Sequence, residues 1–209
     1  QPMLSITNLT KHFGGVTAVN DCSFEIEQGK ITALVGPNGA GKTTVFNLVS
    51  GFYEADAGEV TFDTNDITRL PIWRRSQLGI SRTFQLSRLF RNLSIEDNLL
   101  IALRTDDDQF FKMFLRGVAG DAAEKQRIHE MMDFVGLNKD AQTIVTDLSY
   151  GQQKLFDLCR ALLNPHTLLM LDEPVAGVNP VLRESLKDIL RQLRMKGETI
   201  LVIEHDMDF

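Results

Sequence analysis

Long hydrophobic runs, cysteine and clustered charge are all scarce in this sequence. No window approaches the ~18 consecutive apolar residues of a membrane-spanning helix, and the beginning of the chain has no signal-peptide pattern. Cys22 and Cys159 are the only cysteines, and they lie far apart without the spacing of a metal site, so we expect two reduced, buried thiols. These absences argue against a chain that itself spans a membrane and against a disulfide scaffold.

A long run of lysine or arginine is also absent, and the net charge is −6 over 209 residues. This charge argues against nucleic acid as the principal partner. It does not argue against a nucleotide, because local backbone N–H groups rather than global charge hold phosphates. With 43% hydrophobic and 24% charged residues, the composition is that of an ordinary globular domain with a core.

The spacing of apolar residues predicts an α/β fold. The stretch "CSFEIE" alternates apolar and polar residues as a half-exposed strand does. Continuous apolar runs, typical of strands buried on both faces, occur in "ITALVG", "TLLMLDEP" and "ETILVIEHD". Buried strands that alternate with helices predict a mostly parallel sheet, and the alternating strands at the start predict an antiparallel β subdomain beside it.

Helical patterns dominate from Ile95 onwards. A serine precedes the first of them, "AAEKQRIHEMMDFVGL" ends near Gly136, and "PVLRESLKDILRQLRMKG" places its leucines on one face. We therefore expect one domain over residues 1–209, in which a helical subdomain at 95–159 is inserted into a core formed by 1–94 and 160–209. Because a parallel core normally continues beyond such a strand, we also expect a further C-terminal part.

The pattern G-x-x-x-x-G-K-[ST] occurs as "GPNGAGKT", between a predicted strand and a predicted helix. Its glycines let successive backbone N–H groups converge on phosphate oxygens, and the helix N-terminus adds partial positive charge. We expect Lys42 to act in catalysis on the β- and γ-phosphates and Thr43 to ligate Mg²⁺. The predicted nucleotide-binding residues are Gly36, Pro37, Asn38, Gly39, Ala40, Gly41, Lys42, Thr43 and Thr44.

The run "LLMLDE" supplies the acidic partner of this loop. A buried strand that ends in Asp172 places a carboxylate where it can hold Mg²⁺, and Glu173 can then polarise a water as general base. Alone, an Asp-Glu pair at a strand end would be interpreted as an exposed turn, but a phosphate-binding loop earlier in the chain favours the catalytic interpretation. The sequence therefore predicts a protein that binds and hydrolyses a nucleoside triphosphate.

The stretch "LSYGQQK" resembles the LSGGQ signature of the ATP-binding-cassette (ABC) ATPases, and other motifs of that family occur in its order. Phe13 corresponds to the aromatic residue that stacks on adenine, and Gln85 to the Q-loop glutamine that contacts metal and water. The stretch "AGVNP", with Asn179, matches the D-loop, and His205 matches the switch histidine near the γ-phosphate. The resemblance covers essentially the whole chain and implies that ATP and Mg²⁺ bind to a P-loop NTPase core.

In that family the signature serves a second subunit. The resemblance implies a head-to-tail dimer in which Ser149, Gly151 and Gln152 cap the ATP held by the partner's phosphate loop. A serine hydroxyl, a glycine N–H and a helix N-terminus together form an anion-binding surface, which gives this arrangement a physical basis.

Two positions depart from the family pattern. Asn179 stands where many relatives carry aspartate, and its uncharged amide would change the coupling between two ATP sites. Tyr150 replaces the first glycine of the signature, so its ring must point away from the phosphates or pack on the partner. Neither change affects the predicted catalytic residues, so we expect hydrolysis to survive.

Simpler interpretations compete at single positions. Phe13 could be an ordinary core aromatic, Gln85 a surface amide, and His205 a structural histidine at a strand end. The other histidines have no motif around them and are interpreted as structural or exposed: His12, His129 and His166.

Local sequence narrows the class of cassette. A single cassette without a membrane span resembles a separate subunit that docks on transmembrane permease subunits, peripheral to the cytoplasmic face of the cell membrane. The stretches "RTFQLSRLFRNLSIEDNLLIA" and "LDEPVAGVNP" resemble the ATP-binding subunits of branched-chain (hydrophobic) amino acid importers. We expect a second ABC ATPase subunit as the partner. A heterodimer is favoured because such importers often pair two different cassettes, and a homodimer stays open.

Other classes stay open at this point. Urea-type importers and the lipopolysaccharide-export ATPase share much of this sequence. A soluble cassette ATPase of DNA repair or of the ribosome is a more distant alternative, because the long coiled-coil insert or basic arms of such chains are not visible here. A regulatory module with little hydrolysis is disfavoured by the intact Glu173 and His205.

Overall fold

The computed structural model describes residues 2–83, 90–104 and 120–204 of the chain. They belong to two compact units. The first unit comprises Gln1–Arg82, His166–Ala176 and Leu190–Phe209, and the second comprises Thr83–Pro165 and Gly177–Ile189. The helical subdomain expected at 95–159 stays a prediction.

The strands of the first unit form one antiparallel and one parallel sheet. In chain order they are β1 (Pro2–Phe13), β2 (Val16–Glu27), β3 (Ile31–Val35), β4 (Ala57–Phe62), β5 (Asn65–Asp66), β6 (Ile80–Arg82), β7 (Leu168–Asp172) and β8 (Thr199–Glu204). The antiparallel sheet has the order β2-β1-β4-β5, and the parallel sheet has the order β3-β8-β7-β6. The predicted α/β architecture with an antiparallel β subdomain is therefore confirmed.

The antiparallel sheet begins with a hairpin of β1 and β2, in which Phe13 lies opposite Val16. Leu4 and Ile6 of β1 point into the core. The left-handed backbone of Asn8 (φ 51°) accompanies a shift in register, after which Leu9 is buried as well. The bulge thus re-aims β1 without interrupting its contribution to the core.

The parallel sheet has β7 and β8 at its centre. Residues Leu168 to Leu171 and the whole of β8 are buried, as their continuous apolar runs predicted. The prediction that "ITALVG" is buried on both faces is wrong, because Ala33 and Val35 of β3 are exposed. In the described sheet β3 is an edge strand, so an apolar run alone did not reveal how many neighbours the strand has.

Helix α1 (Lys42–Ser50) packs in a core cluster that draws on both sheets. It contributes Phe46, Leu48 and Val49, which meet Ile6 of β1 and Ile203 of β8 in that cluster. Helix α2 (Ile72–Gln77) follows the antiparallel sheet. Because α1 is packed on several sides, the loop that precedes it ends at a fixed position.

The second unit is built around α3 (Ile95–Leu103), α4 (Ala122–Val135) and α5 (Tyr150–Leu163), which pack on one another. Ser94 caps α3 by accepting the N–H of Asp97, as its sequence pattern predicted. Helix α4 ends at Gly136, whose left-handed backbone (φ 73°) confirms the predicted stop. A 3₁₀ turn, Val145–Asp147, precedes α5, and α6 (Pro180–Met195) contributes residues to both units.

The two thiols are free, and burial raises the pKa of each. Cys159 of α5 is buried as predicted. Cys22 is only half-buried, so the prediction of two buried thiols is wrong for this residue. Across residues 2–83, 90–104 and 120–204, no helix is both long and apolar enough to cross a bilayer.

Candidate functional site

The phosphate-binding motif forms the loop between the end of β3 and the start of α1. Gly41 caps the helix with a left-handed backbone (φ 83°). A Cβ at this position would collide with the carbonyl oxygen of Ala18 on β2. Both the conformation and the lack of space therefore require glycine.

Lys42 folds back over this loop. Its side chain is buried, and its Nζ donates hydrogen bonds to the carbonyl oxygens of Gly36 at 2.5 Å and Pro37 at 2.8 Å. An ammonium group has three N–H donors, so a phosphate oxygen can take the third or replace a loop carbonyl. The loop thus holds the lysine over the place where a phosphate would lie.

Thr43 and Thr44 stand in the first turn of α1, the former exposed and the latter half-buried. The helix, which is described in full, carries no acidic residue in that turn. The partial positive charge of the helix N-terminus is therefore available to an anion.

Asp172 ends β7 at the same edge of the sheet as the phosphate-binding loop. In the parallel register Asp172 lies opposite Ile203 of β8, and Val35, the last residue of β3, lies opposite Glu204. The carboxyl ends of β3 and β7 thus flank the end of β8. This edge is where open α/β sheets bind their ligands.

Glu173 occupies a strained turn directly after β7. Its backbone is left-handed (φ 49°), a conformation that costs a residue other than glycine about 1–3 kcal/mol. The N–H of Glu173 donates to the carbonyl oxygen of Ile203 at 3.0 Å, and its own carbonyl accepts the N–H of Ala176 at 3.2 Å. These backbone bonds fix the point from which the carboxylate projects.

Phe13, at the end of β1, is not the core aromatic that one interpretation allowed, because 43% of it is exposed. Its ring meets the ring of Tyr53 edge to face, with centroids 5.1 Å apart. The hairpin continues from Phe13 to Ala18, which contacts the phosphate-binding loop at Gly41. The stacking of Phe13 on adenine stays a prediction.

The signature stretch opens α5 with a reciprocal cap. Ser149 Oγ accepts the N–H of Gln152 at 3.4 Å, and the side-chain oxygen of Gln152 accepts the N–H of Ser149 at 3.0 Å. Gly151 lies close to α6, since a Cβ there would be 2.7 Å from Cδ2 of Leu182. The stretch therefore forms an ordered, helix-starting surface.

Comparison with known proteins decides the family. Residues 19–176 match the family profile described as ABC transporter. The chain belongs to this family. As an ABC transporter ATPase it binds nucleotide and hydrolyses ATP, as its sequence predicted.

Individual relatives cover nearly the whole cassette. The chain is 38% identical over 215 residues to the high-affinity branched-chain amino acid transport ATP-binding protein LivG of Salmonella typhimurium. The alignment covers 99% of this chain and 83% of the relative. It is 37% identical over 219 residues to the corresponding protein BraF of Pseudomonas aeruginosa, with the same coverage of 99% and 83%. These similarities support the predicted resemblance to importers of this type.

Solved structures confirm the fold of the cassette. An ATP-binding cassette of an ABC transporter in its ADP conformation superposes with a TM-score of 0.86 at 31% identity, covering 100% of this chain and 83% of that one. A dimeric bacterial ABC transporter cassette superposes with a TM-score of 0.84 at 25% identity, covering 99% of this chain and 89% of that one.

Tyr150 of this ABC ATPase packs within its own chain. A Cβ on Gly177 would lie 3.2 Å from Cε1 and 3.3 Å from Oη of Tyr150, so the ring rests on the backbone of the D-loop. Lys154 Nζ lies 5.8 Å from the centroid of the same ring. The replacement of the signature glycine thus links the signature to the D-loop of the same unit.

Asn179 also serves its own chain, because its side-chain oxygen accepts the N–H of Leu182 at 2.9 Å in the first turn of α6. An asparagine is well suited to this capping position. Its predicted role in coupling two ATP sites stays a prediction.

Gln85 and His205 lie outside the described residues, so their roles stay predictions. The remaining histidines contact groups of their own fold: His12 with Asp56 at 3.3 Å, His129 with the carbonyl of Lys125 at 2.7 Å, and His166 with Glu198 at 3.2 Å. Their interpretation as structural or exposed is consistent with these contacts.

Two residues of the ATPase edge had no predicted role. Glu204, 2% exposed, accepts the N–H of Val175 at 3.3 Å and so braces the turn after Glu173. Arg82, the last residue of β6, lies with its Nη2 3.8 Å from Oδ2 of Asp172. Both residues lie in stretches quoted above, but the family motifs there were assigned to Gln85 and His205, and only a charged residue at the end of a strand marked Arg82 and Glu204.

Proposed function

We propose that this chain is the ATP-hydrolysing subunit of a transporter that imports branched-chain or other hydrophobic amino acids. The observation that carries this proposal is the similarity, at 37% to 38% identity over 99% of the chain, to two proteins named for branched-chain amino acid transport. The subunit would lie at the cytoplasmic face of the cell membrane, where permease subunits select the substrate.

ATP would bind with its phosphates in the loop of residues 36–44 and its adenine against Phe13. Lys42 would exchange a loop carbonyl for a phosphate oxygen, and the N-terminus of α1 would favour the phosphate charge. The partial exposure of Phe13 supports this assignment, since a purine ring can cover an exposed aromatic side chain.

The residues at this edge fit Mg²⁺. The Thr43 hydroxyl and the Asp172 carboxylate are oxygen ligands of the kind that this ion prefers, and Gln85 would add another. When bound, Mg²⁺ would neutralise charge that develops on the phosphates. Within the described ranges no group of three His, Cys, Asp or Glu side chains could hold a metal.

Glu173 would take the proton of the attacking water as general base. Gln85 and His205 would align that water and the γ-phosphate, as their positions in the family motifs imply. The left-handed turn at Glu173 supports the assignment, because strained backbone often occurs where a side chain must project into a site.

A second cassette would complete each ATP site with its signature. The cap uses Ser149 Oγ as an acceptor, so its hydroxyl proton can still be donated to a phosphate on the partner. Gly151 and Gln152 would approach the same nucleotide, and Asn179 would contact the partner's site. We infer a heterodimer with a second, different ABC ATPase subunit, closed by ATP and reopened by hydrolysis.

The test compares Glu173→Gln with Glu184→Gln, an exposed glutamate of α6, each expressed in place of the parent chain in cells that take up leucine. Without a general base, ATP turnover and leucine uptake should fall by about 100-fold or more, while affinity for an ATP analogue is retained. Glu184→Gln should behave as the parent. Hydrolysis is measured as phosphate release and uptake with labelled leucine.

Near-normal turnover in the Glu173→Gln variant would contradict the general-base assignment. Loss of hydrolysis with unchanged leucine uptake would contradict the proposed substrate class. Parallel loss of urea uptake instead would assign the subunit to a different importer.

A further inference from the structure

The guanidinium of Arg82 joins the phosphate-binding helix to the strand that carries Asp172. Nη1 donates to the side-chain oxygen of Asn47 at 2.6 Å and to Ser50 Oγ at 2.9 Å, both on α1. Nη2 lies 3.8 Å from Oδ2 of Asp172, and both side chains are largely buried, at 14% and 12% exposed. One planar group therefore bridges two elements of the site.

Two aromatic rings hold that planar group. The guanidinium carbon lies 4.6 Å from the ring centroid of Phe46 and 4.7 Å from that of Phe52. Such contacts favour a delocalised cation and limit its rotation. A lysine would keep the charge of Arg82 but would supply neither the fork of donors nor the stacking plane.

We propose that Arg82 is a positioning residue that sets the affinity of the site for Mg²⁺. The proposal rests on the function proposed above, in which Asp172 and Thr43 hold the ion. Thr43 is on α1 and Asp172 is at the end of β7, so the bridge fixes the distance between the two elements that bear these ligands. It also places a positive charge beside the Asp172 carboxylate.

A metal ligand that is pre-oriented by a neighbour binds more tightly than one that must first be ordered. Removing such an outer neighbour typically weakens metal binding or activity about 10- to 100-fold. Arg82 bonds to α1 at Asn47 and Ser50, a turn or more beyond the residues that begin the helix, so we expect binding of the nucleotide without metal to be independent of Arg82.

The experiment first measures binding of a fluorescent ATP analogue to the 209-residue chain in EDTA, without free Mg²⁺. Mg²⁺ is then titrated in, and the half-saturating Mg²⁺ concentration is determined. Arg82→Met and Arg82→Lys are compared with the parent and with Asp172→Asn. Arg74→Met is the control, because Arg74 is exposed on α2 and its loss changes the net charge equally. Urea unfolding of each variant reports whether it folds.

The half-saturating Mg²⁺ concentration should rise about 10-fold or more in Arg82→Met, with analogue affinity in EDTA unchanged within about twofold. Arg82→Lys should also raise it, because the fork and stacking are lost, whereas Arg74→Met should match the parent. If Arg82→Met does not fold, Arg82→Lys decides the question in the same way.

An unshifted Mg²⁺ titration in the Arg82 variants, with a shifted one in Asp172→Asn, would overturn the positioning role and leave the proposed function intact. Equal loss of analogue affinity with Mg²⁺ and in EDTA would also overturn it, since that result indicates a general structural role. If Asp172→Asn is unshifted as well, the metal role of Asp172 fails, and this proposal fails with it.

Discussion

Side chains of the candidate site use one atom for the fold, and another atom is the one that we propose to bind ATP. Ser149 caps α5 through a lone pair and keeps its hydroxyl proton, while Lys42 gives two of its three N–H groups to loop carbonyls. A substitution at such a residue changes stability and binding together. To separate the effect on stability from the effect on binding, experiments on single residues therefore need pairs of variants that share one of these effects and differ in the other.

The glycines of the phosphate-binding loop provide such a pair. Gly39 and Gly41 both have φ 83°, but a Cβ on Gly39 meets nothing within 4 Å, whereas one on Gly41 collides with Ala18. Alanine at either position bears the left-handed cost of about 1–2 kcal/mol. Gly41→Ala should lose about 1–3 kcal/mol more of unfolding free energy, because its neighbour must move.

Urea unfolding without nucleotide measures both alanine variants, so contacts with ATP do not enter the comparison. Equal stability of Gly39→Ala and Gly41→Ala would show that the loop relaxes away from Ala18.

Asp157, on the buried face of α5, should make stability depend on pH. Burial raises its pKa from 3.8 to about 6, although the nearby Arg160 and Lys154 oppose the shift. The raised pKa means that the unfolded chain releases this proton first, so the contribution of Asp157 to stability falls as the pH rises from about 4 to 6. A shift of two units corresponds to about 3 kcal/mol.

The variant Asp157→Asn removes this titration. Its unfolding free energy relative to the parent should therefore increase by up to about 3 kcal/mol between pH 4 and pH 6.5, measured by urea unfolding. A difference between variant and parent that is flat across this range would show that the buried carboxylate does not titrate there.

At the scale of elements, local sequence patterns predicted the strands and helix ends that are determined by residues close together in the sequence. The alternating and continuous apolar runs located the antiparallel subdomain, β7 and β8, and the capping residues located the ends of α3 and α4. The burial of β3 was predicted wrongly, because its exposure depends on its place at the edge of the described sheet. The number of strands that pair with β3 is determined by the fold and cannot be deduced from the local sequence "ITALVG".

The cap of α5 can be separated from its proposed role towards a partner's ATP. Ser94 and Ser149 cap α3 and α5 in the same way, each accepting the N–H three residues on. Ser94→Ala and Ser149→Ala should each lower the unfolding free energy by about 1 kcal/mol. Only Ser149→Ala should also reduce ATP hydrolysis, with ATP-analogue binding to the single subunit retained.

Phosphate release and fluorescence binding give these two readouts. If both serine variants reduce hydrolysis alike, the loss follows from stability, and the signature has no separate role in the ATP site.

At the scale of the whole molecule, the sequence motifs could be predicted, but the hydrogen bonds and ion pairs that hold their elements together could not. Arg75 and Arg82 lie in "WRRSQLGISR", where nothing distinguishes them from surface arginines. Arg75, only 2% exposed, donates to the carbonyls of Leu48 and Val49 at the end of α1, and burial lowers its pKa to about 10. These bonds join segments far apart in sequence, so no spacing rule reports them.

In the mechanism proposed above, each ATP is bound between two cassettes. Two identical copies each carry a phosphate-binding loop and a signature, so the head-to-tail arrangement is open to them even where a different cassette is the natural partner. A dimeric cassette is also among the structures that this chain resembles. Blocking hydrolysis should therefore trap the closed pair.

The most direct measurement is the molar mass of the Glu173→Gln variant by light scattering, with and without Mg-ATP. We predict a monomer of 23.5 kDa without nucleotide and twice that mass with Mg-ATP, and no such increase when Ser149→Arg is added to the variant. A dimer that forms equally well without nucleotide, or one that Ser149→Arg leaves intact, would contradict shared ATP sites, whereas a chain saturated with ATP that stays at 23.5 kDa would leave only the heterodimer.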